Sequence, residues 1–188
     1  MLEDRRIALR DRLRDPDDGV RRAAAEALET LESALDLENI LAVLRTGNRG
    51  QRIKALFALE HITTPEVFPP LLAALKFPDE DIRATAIQVL GRKKNPKALG
   101  NLVPCLSDPH PAVRVHAAEA LGNFSDPRLV PYLVALFAAN DAELIKAAIR
   151  SLGAIGAKTA EAPLLALLDH PQAEVRREAA VALGHLEN

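Results

Sequence analysis

The residues of this 188-residue chain that could bind a metal are sparse. His116 and Glu119 lie three residues apart, which places an imidazole and a carboxylate on one face of a helix. Two such groups are more often a solvated or hydrogen-bonded pair than a metal site. The other histidines fall in turns or at helix ends and do not converge: His61, His110, His170 and His185. We therefore predict no metal site and no cofactor.

Nucleophilic catalysis is the second chemistry to consider. Ser107, Asp108 and His110 are the side-chain types of a hydrolase triad, but three near-adjacent residues of one turn cannot reach its geometry. Asp108 is better explained as a turn residue. The single cysteine, Cys105, falls in a column of small or apolar residues, and we interpret it as a buried thiol. No catalytic residue is predicted.

Five arginines recur at multiples of 31 residues and invite a phosphate-binding interpretation, because guanidinium groups suit phosphate. They are Arg21, Arg52, Arg83, Arg114 and Arg176, with Ile145 at the remaining position of the column. Aspartates in the preceding turns could accept hydrogen bonds from them. We interpret the arginines as a structural ladder that ties one repeat to the next. The interruption at Ile145 predicts a softer junction there.

The elements that position these side chains follow from the same 31-residue period. The segment DPHPAVRVHAAEALG, at 108–122, has a counterpart in each of six stretches. A fixed period of this size is typical of a solenoid, in which each unit buries its apolar face against its neighbours. The predicted repeats span approximately 1–31, 32–62, 63–93, 94–124, 125–155 and 156–188, and together they form one domain.

Each repeat is predicted to contain two helices. The second helix follows a capping column, which is Asp17, Asn48, Asp79, His110, Asp141 and Gln172. Glycines are expected to end these helices in the left-handed conformation: Gly91, Gly122, Gly153 and Gly184. The first helix opens at Ser33, Thr64, Asn95 and Asp126 in repeats 2 to 5. Its internal prolines are expected to bend it without breaking it.

Tandem helix pairs with D-P-x-x-x-V-R-x-x-A-A-x-A-L-G resemble HEAT-like repeats of the short bacterial, phycobilisome-lyase type. The best copies are DPHPAVRVHAAEALG at 108–122 and HPQAEVRREAAVALG at 170–184. The resemblance covers essentially the whole chain. It implies an all-α fold, a right-handed α-α superhelix (solenoid) of six two-helix repeats, with the second helices on the concave side.

The resemblance is weak for function, since such repeats occur in scaffolds, adaptors, lyases and a few enzymes. Deoxyhypusine hydroxylases of the wider family carry His-Glu pairs in these helices. The corresponding pairs here, such as Val115-His116 and Arg177-Glu178, are not His-Glu, so a di-iron site lacks its ligands.

Composition disfavours several partners. The net charge of −2, with no Trp and one Tyr, does not match the basic, aromatic groove that a resemblance to HEAT-like DNA glycosylases would imply. The basic run GRKKNPK at 91–97 is interpreted as a solvated connection. No apolar stretch has the length of a signal peptide or a membrane span. We expect a cytoplasmic protein that binds neither nucleic acid nor membrane.

The exposed face of the second helices is where a partner should bind. In repeats 2 to 4 this face carries apolar residues between polar rims, and contiguous exposed apolar surface marks interaction sites. The predicted binding residues are Ile53, Lys54, Phe57, Ala84, Gln88, Val115, His116, Glu119, Lys146 and Arg150. An alternative stays open, in which Phe57 folds back against the third repeat or is buried by curvature.

These patterns predict a non-enzymatic scaffold or adaptor that binds a peptide or helix of another protein on its concave face. The alternatives are a phycobilin-lyase-type subunit or a chaperone, and, third, a nucleic-acid-binding protein. The last helix is crowded with Ala179, Ala180, Val181 and Leu183 and lacks the charges of the first helix. This end is therefore expected to self-associate through the C-terminal repeat, to contact a partner or to continue into further repeats, and an end that stays solvated is the alternative.

Overall fold

The computed structural model describes residues 2–186, with side chains for residues 3–32 and 35–186. All regular structure in these residues is helical. The α-helices are α1 Leu2–Arg12, α2 Asp18–Thr46, α3 Arg49–His61, α4 Phe68–Ala74, α5 Glu80–Lys93, α6 Leu99–Leu102, α7 Pro111–Gly122, α8 Val130–Val134, α9 Ala142–Ile155, α10 Glu161–Ala166 and α11 Ala173–Leu183. The chain divides into two compact units, Met1–Ala55 and Leu56–Asn188.

In the first unit, α1 packs against α2. Helix α2 begins as predicted, because the carboxylate of Asp17 accepts a hydrogen bond of 3.0 Å from the Val20 N–H. It then runs without interruption for 29 residues. The helix start expected at Ser33 is therefore wrong. The stretch 29–36, ETLESALD, contains no proline or glycine, whereas later first helices open at Pro65, Pro96 and Pro127, so nothing interrupts the helical hydrogen bonds.

In the second unit, the second helices stack in chain order, α5 on α7, α7 on α9 and α9 on α11. Their predicted starts are confirmed, since Asp79, His110, Asp141 and Gln172 are the N-cap residues of these four helices. One leucine at the same position of each repeat lies in the core between the helices. Leu59, Leu90, Leu121 and Leu152 are fully buried. Burial of one leucine per repeat on this scale is a main source of stability.

The first helices of the second unit are short α-helical segments joined to 3₁₀ turns. One example runs from the 3₁₀ turn Pro96–Ala98 through α6 to the 3₁₀ turn Val103–Ser107. Pro104 lies inside this run and has no N–H to donate. The helical residues nevertheless follow one another without a gap, so Pro104 does not break this run.

The glycine column has a different role from the one expected. Gly91 lies within α5 and Gly122 is the last residue of α7, and the left-handed residues after α5 and α9 are Lys94 and Gly156. The reason is steric. A Cβ atom on Gly91 would lie 2.7 Å from the Cβ of Ala120, on the next helix of the stack. Gly91, Gly122 and Gly153 let neighbouring helices approach closely. The predicted left-handed conformation is wrong for all four glycines, and the predicted helix end is wrong for Gly91 and Gly153. Helix α7 does end at Gly122, and Gly184 is the C-cap residue of α11.

Candidate functional site

The ladder arginines hold the turns that precede their own helices. Arg83 donates to the carbonyls of Phe77 and Pro78, both at 2.8 Å, and Arg114 donates to those of Asp108 and Pro109, at 3.0 and 3.2 Å. Arg21 and Arg176 bond the equivalent carbonyls, at 2.7–3.0 Å, and Arg52 donates to the Arg45 carbonyl at 2.9 Å. Each of these guanidinium groups therefore has a structural partner in the turn.

Two of the arginines also reach the next repeat. Arg83 forms a two-pronged ion pair with Asp108, and Arg114 lies 3.6 Å from a carboxylate oxygen of Asp141. Partial burial would raise the pKa of Asp108, but the hydrogen bonds from Arg83 and from the His110 N–H hold it below its usual value. Ile145, which interrupts the column, is buried at 4% exposure. A softer junction at Ile145 stays a prediction.

The predicted polar binding residues of the second unit are joined into one chain of contacts across α5, α7, α9 and α11. The amide nitrogen of Gln88 lies 3.2 Å from the His116 ring, and that ring lies 3.2 Å from a carboxylate oxygen of Glu119. Glu119 accepts a hydrogen bond of 3.3 Å from Arg150, whose other terminal nitrogen is 3.9 Å from Glu178. We call this row, Gln88, His116, Glu119, Arg150 and Glu178, the polar row.

Lys146 stands beside the polar row and is held by two carboxylates. Its ammonium nitrogen lies 2.8 Å from Glu143 on its own helix and 2.8 Å from Glu174 on α11. The hydrogen bonds to Glu143 and Glu174 raise the pKa of Lys146, and the bond from Lys146 lowers the pKa of Glu174. This lysine therefore stays charged and positioned at neutral pH.

The apolar residues expected to be exposed on this face are largely covered. Ala84 is only 8% exposed, and Phe57 and Val115 are half-buried. The guanidinium carbon of Arg92 lies 5.7 Å from the centre of the Phe57 ring, a cation–π contact that covers the ring. The expected apolar floor is therefore not an open surface in the second unit.

The other two predicted residues lie on α3 within the first unit. Ile53 is half-buried and Lys54 is exposed. Their assignment to a binding surface stays a prediction.

An open cleft lies along the polar row. It has a volume of about 210 Å³ and is lined by Gln88, Arg92, His116, Glu119, Ala120 and Asn123. The lining offers amide and guanidinium donors beside a carboxylate and an imidazole. A cleft of this kind can hold the backbone and polar side chains of a peptide segment through hydrogen bonds.

A second, less polar groove lies between the first helices and was missed in the sequence. It has a volume of about 490 Å³ and is lined by Pro96, Leu99, Gly100, Val103, Pro104, Asp126, Arg128, Leu129 and Tyr132. Tyr132 is 51% exposed. The sequence held one indication of this groove, because Gly100 puts no side chain on α6. In the structure, a Cβ at Gly100 would meet no atom within 4 Å. A lone glycine in a short helix is, however, a weak indication.

The basic run at 91–97 is partly structural and not only a solvated connection. Lys93 donates to the carbonyls of Glu60 and Ile62 at the end of α3, at 2.9 and 2.6 Å. Arg92 forms an ion pair of 2.7 Å with the Glu60 carboxylate. Burial lowers the pKa of Lys93. Lysines at a helix C-terminus satisfy carbonyls that lack helical partners, and this explains the position of Lys93.

Two of the groups considered for catalysis, Asp108 and Cys105, are already hydrogen-bonded. Asp108 is engaged by Arg83 and the His110 N–H, and the Cys105 thiol donates to the Asn101 carbonyl at 3.3 Å. Burial raises the pKa of Cys105 to about 11, so its thiolate is scarce at neutral pH. Among residues 2–186, no three His, Cys, Asp or Glu side chains are grouped as metal ligands would be. Within that range no helix combines the length and the apolarity needed to cross a membrane.

A model of the family described as HEAT repeats matches residues 37–100, 68–148 and 136–188, in overlapping segments that together cover most of the chain. The chain belongs to the HEAT-repeat family. The family resemblance inferred from the repeated Asp-Pro and Ala-Leu-Gly pattern is thereby confirmed. A search of curated proteins found no match.

Two solved structures illustrate the likeness. The complex of CpcE and CpcF of phycocyanin lyase from Nostoc sp. PCC7120 is 27% identical, with a TM-score of 0.69, over 80% of this HEAT-repeat chain and 64% of that chain. The chain therefore spans less than two-thirds of this neighbour. A designed armadillo repeat protein in complex with the peptide (KR)4 has a TM-score of 0.62 at 19% identity, over 96% of this chain and 98% of that one. The second likeness concerns the fold alone. Both support the predicted all-α solenoid fold.

Proposed function

We propose that this HEAT-repeat chain is a non-enzymatic, cytoplasmic scaffold or adaptor that binds a peptide segment of another protein along the polar row. The observation that carries the proposal is the open cleft beside Gln88, His116 and Glu119. Its side chains are already oriented by one another across three helices, through the contacts of the polar row. A preorganised surface loses less side-chain entropy on binding than a mobile one.

The charges of this surface favour a partner of mixed polarity. In the polar row, Arg150 lies between Glu119 and Glu178. Beside the row, Lys146 pairs with Glu174, and Arg92 lines the cleft. Such a surface can pair with both positive and negative side chains of a peptide. Its specificity then comes from the alignment of the peptide's charges with those of the surface, more than from overall electrostatic attraction. An extended peptide or one exposed helix fits this description.

The experiment is a selection from a displayed peptide library, followed by measurement of the affinity of the enriched peptides. Arg150→Glu places a third carboxylate beside those of Glu119 and Glu178, so it should weaken binding at least tenfold. Arg128→Glu is the matched control, because Arg128 is an exposed arginine that lies in the groove between the first helices. Circular dichroism verifies that both variants fold.

The two variants separate the outcomes. Loss of affinity in Arg150→Glu with retention in Arg128→Glu supports the polar row. The reverse pattern would indicate that the peptide binds in the groove between the first helices, and it would refute the polar row as the binding site. A library that yields no enriched peptide would refute peptide binding itself.

A second candidate function is a subunit of a phycobilin lyase, and the 27% identity to the CpcE–CpcF complex of phycocyanin lyase favours it. Under this hypothesis the partner is a second repeat-protein subunit. Mixing the chain with a linear tetrapyrrole, alone and with a phycobiliprotein lacking its pigment, tests it. A shifted pigment absorption band or transfer of pigment would favour the lyase function, and an unchanged spectrum in both mixtures would oppose it.

A further inference from the structure

The groove between the first helices continues into a second depression. One part, of about 490 Å³, lies between α6 and α8, and a further part, of about 260 Å³, lies between α4 and α6. Gly100 and Pro104 line both parts. Because a Cβ at Gly100 would meet no atom within 4 Å, the space above this residue is open and joins them. We call the joined surface, from Lys76 to Arg128, the first-helix groove.

The first-helix groove depends on residues that the next repeat lacks. Three of its positions change one repeat later, in the pairs Gly100 and Pro131, Arg128 and Thr159, and Tyr132 and Pro163. The groove is therefore particular to α4, α6 and α8 and does not follow from the repeat alone. Further helices precede α4 and follow α8 in the chain, so its exposure does not arise from a chain end.

The interior of the groove is apolar. Leu72 and Leu75 line one part and Leu99 and Val103 line the other, and all four are half-buried. Tyr132 lies beside them and is 51% exposed. A tyrosine ring offers a large contact area and a hydroxyl group at a low cost in side-chain entropy. These side chains can bury the apolar residues of a ligand.

A cation lies at each end of the groove. Lys76 is exposed and makes no ion pair in the part of the chain that the structure describes. The Arg128 side chain is 83% exposed, and it holds Asp126 through Nε and one terminal nitrogen, at 3.0 and 2.7 Å. The two carboxylates of the groove are thus already paired, Asp126 with Arg128 and Asp108 with Arg83. The groove has an excess of positive charge on a chain of net charge −2, so it is complementary to an acidic ligand.

The length of the groove sets the length of that ligand. Its lining along α6 and the adjoining 3₁₀ turns runs from Pro96 to Asp108. Twelve residues of mixed α and 3₁₀ helix rise about 18–24 Å, at about 1.5–2.0 Å each. An extended chain covers this length in about six residues, at about 3.3 Å each.

We propose that the first-helix groove binds an extended segment of another protein in which two acidic residues, about six positions apart, flank apolar residues. The acidic side chains pair with Lys76 and Arg128, and the apolar ones pack on the leucines and Tyr132. An extended chain fits the opening above Gly100 better than a helix, whose diameter is about 10–12 Å. This site is separate from the polar row, which lies on the second helices.

The test is fluorescence anisotropy with an array of labelled heptapeptides. Each peptide has glutamate at its first and last positions and leucine, valine, phenylalanine, proline or serine between them. A matched array has lysine at both ends. Members of the acidic array should bind, more weakly as the salt concentration rises, and the lysine array should not bind. Absence of binding by the acidic array, or equal binding by both arrays, would overturn the proposal.

Two variants locate the site. Lys76→Glu reverses the charge at one end, and Gly100→Leu fills the opening without a change of charge. Each should weaken binding of the acidic peptides at least tenfold, and Gly100→Leu should fold because its Cβ has space. Lys158→Glu is the control, because Lys158 is an exposed lysine outside the groove, and it should bind as wild type does. Circular dichroism verifies that all three variants fold.

The remaining outcomes decide against the groove. Unchanged affinity in Lys76→Glu or in Gly100→Leu would overturn the proposal, as would an equal loss in Lys158→Glu. Acidic peptides whose affinity falls in Arg150→Glu and not in Lys76→Glu bind the polar row, and this result would also overturn it. The proposal for the first-helix groove can therefore fail while the polar row stands, and the reverse.

Discussion

Arg83 and Asp108 form a two-pronged ion pair that joins α5 to the turn before α7. The Nε atom of Arg83 lies 2.8 Å from one carboxylate oxygen of Asp108, and a terminal nitrogen lies 2.8 Å from the other. The side chains are only 12% and 10% exposed. Because the same guanidinium also bonds two carbonyls of its own turn, one side chain fixes both the turn and the junction between repeats.

Removing this arginine should be more damaging than removing its equivalent one repeat later. Arg83→Ala leaves the Asp108 carboxylate half-buried without its cation and should cost about 2–4 kcal/mol. Arg114→Ala breaks similar carbonyl bonds, but its carboxylate contact is longer, at 3.6 Å, so its cost should be smaller. Urea unfolding of both variants measures the difference. Equal losses would contradict a special role for the two-pronged pair.

The same pair should make stability sensitive to acid. The folded state holds the pKa of Asp108 below its usual value. The stabilisation is therefore complete above the pKa of an unfolded aspartate, about 4, and is lost as the pH falls through the lower folded pKa. The stability difference between wild type and Asp108→Asn should shrink as the pH is lowered from about 5 to about 2. A difference that is constant over this range would show that the carboxylate charge is unimportant.

The glycine at the closest helix contact should not tolerate a methyl group. A Cβ on Gly122 would lie 2.7 Å from the hydroxyl oxygen and 2.8 Å from the Cα of Ser151, which is buried and donates to the Ala118 carbonyl. Gly122→Ala should cost about 1–3 kcal/mol, although alanine is intrinsically the better helix former. Gly100→Ala is the control and should be neutral or stabilising by up to about 1 kcal/mol, because its Cβ meets no atom within 4 Å. Thermal unfolding compares the two, and a stabilised Gly122→Ala would contradict the steric role.

Two adjacent lysines should differ in importance. Lys93→Ala removes the donor that satisfies the carbonyls of Glu60 and Ile62, and it should cost about 1–3 kcal/mol. Lys94 is exposed and left-handed, with φ of 50°, so Lys94→Ala should change stability by less than about 0.5 kcal/mol. Chemical unfolding of the two variants measures the difference in stability. Similar effects would show that Lys93 does not hold the end of α3.

Much of the fold could be predicted because local signals and the repeat agree. The capping residues before α2, α5, α7, α9 and α11 follow from the repeat spacing. The continuous helix α2 was not predicted, because the repeat alignment assumes a turn at 29–36, and the local sequence there has no proline or glycine. The role of Gly91 and Gly122 depends on a neighbouring helix. The conformational propensity of a single residue carries no information about that helix.

The candidate site was predicted less well, for a related reason. Sequence periodicity locates the outward positions of a helix but not the side chains that lie over them. Ala84 is buried at 8% exposure, and Phe57 is covered by Arg92 from the next helix. Gln88, His116 and Glu119 were predicted as separate binding residues. Their connection into one row depends on distances between repeats that only the structure provides.

The half-buried Cys105 should be a slow and pH-sensitive thiol. Burial raises its pKa to about 11, so alkylation by iodoacetamide at neutral pH should be much slower than in the unfolded chain. Because the folded pKa exceeds the unfolded value of about 8.5, the thiol's stabilisation is complete below that value and is lost as the pH rises towards 11. The stability of wild type relative to Cys105→Ala should therefore fall over this interval. Rapid alkylation of the folded chain, or a pH-independent difference, would show that the thiol is solvated.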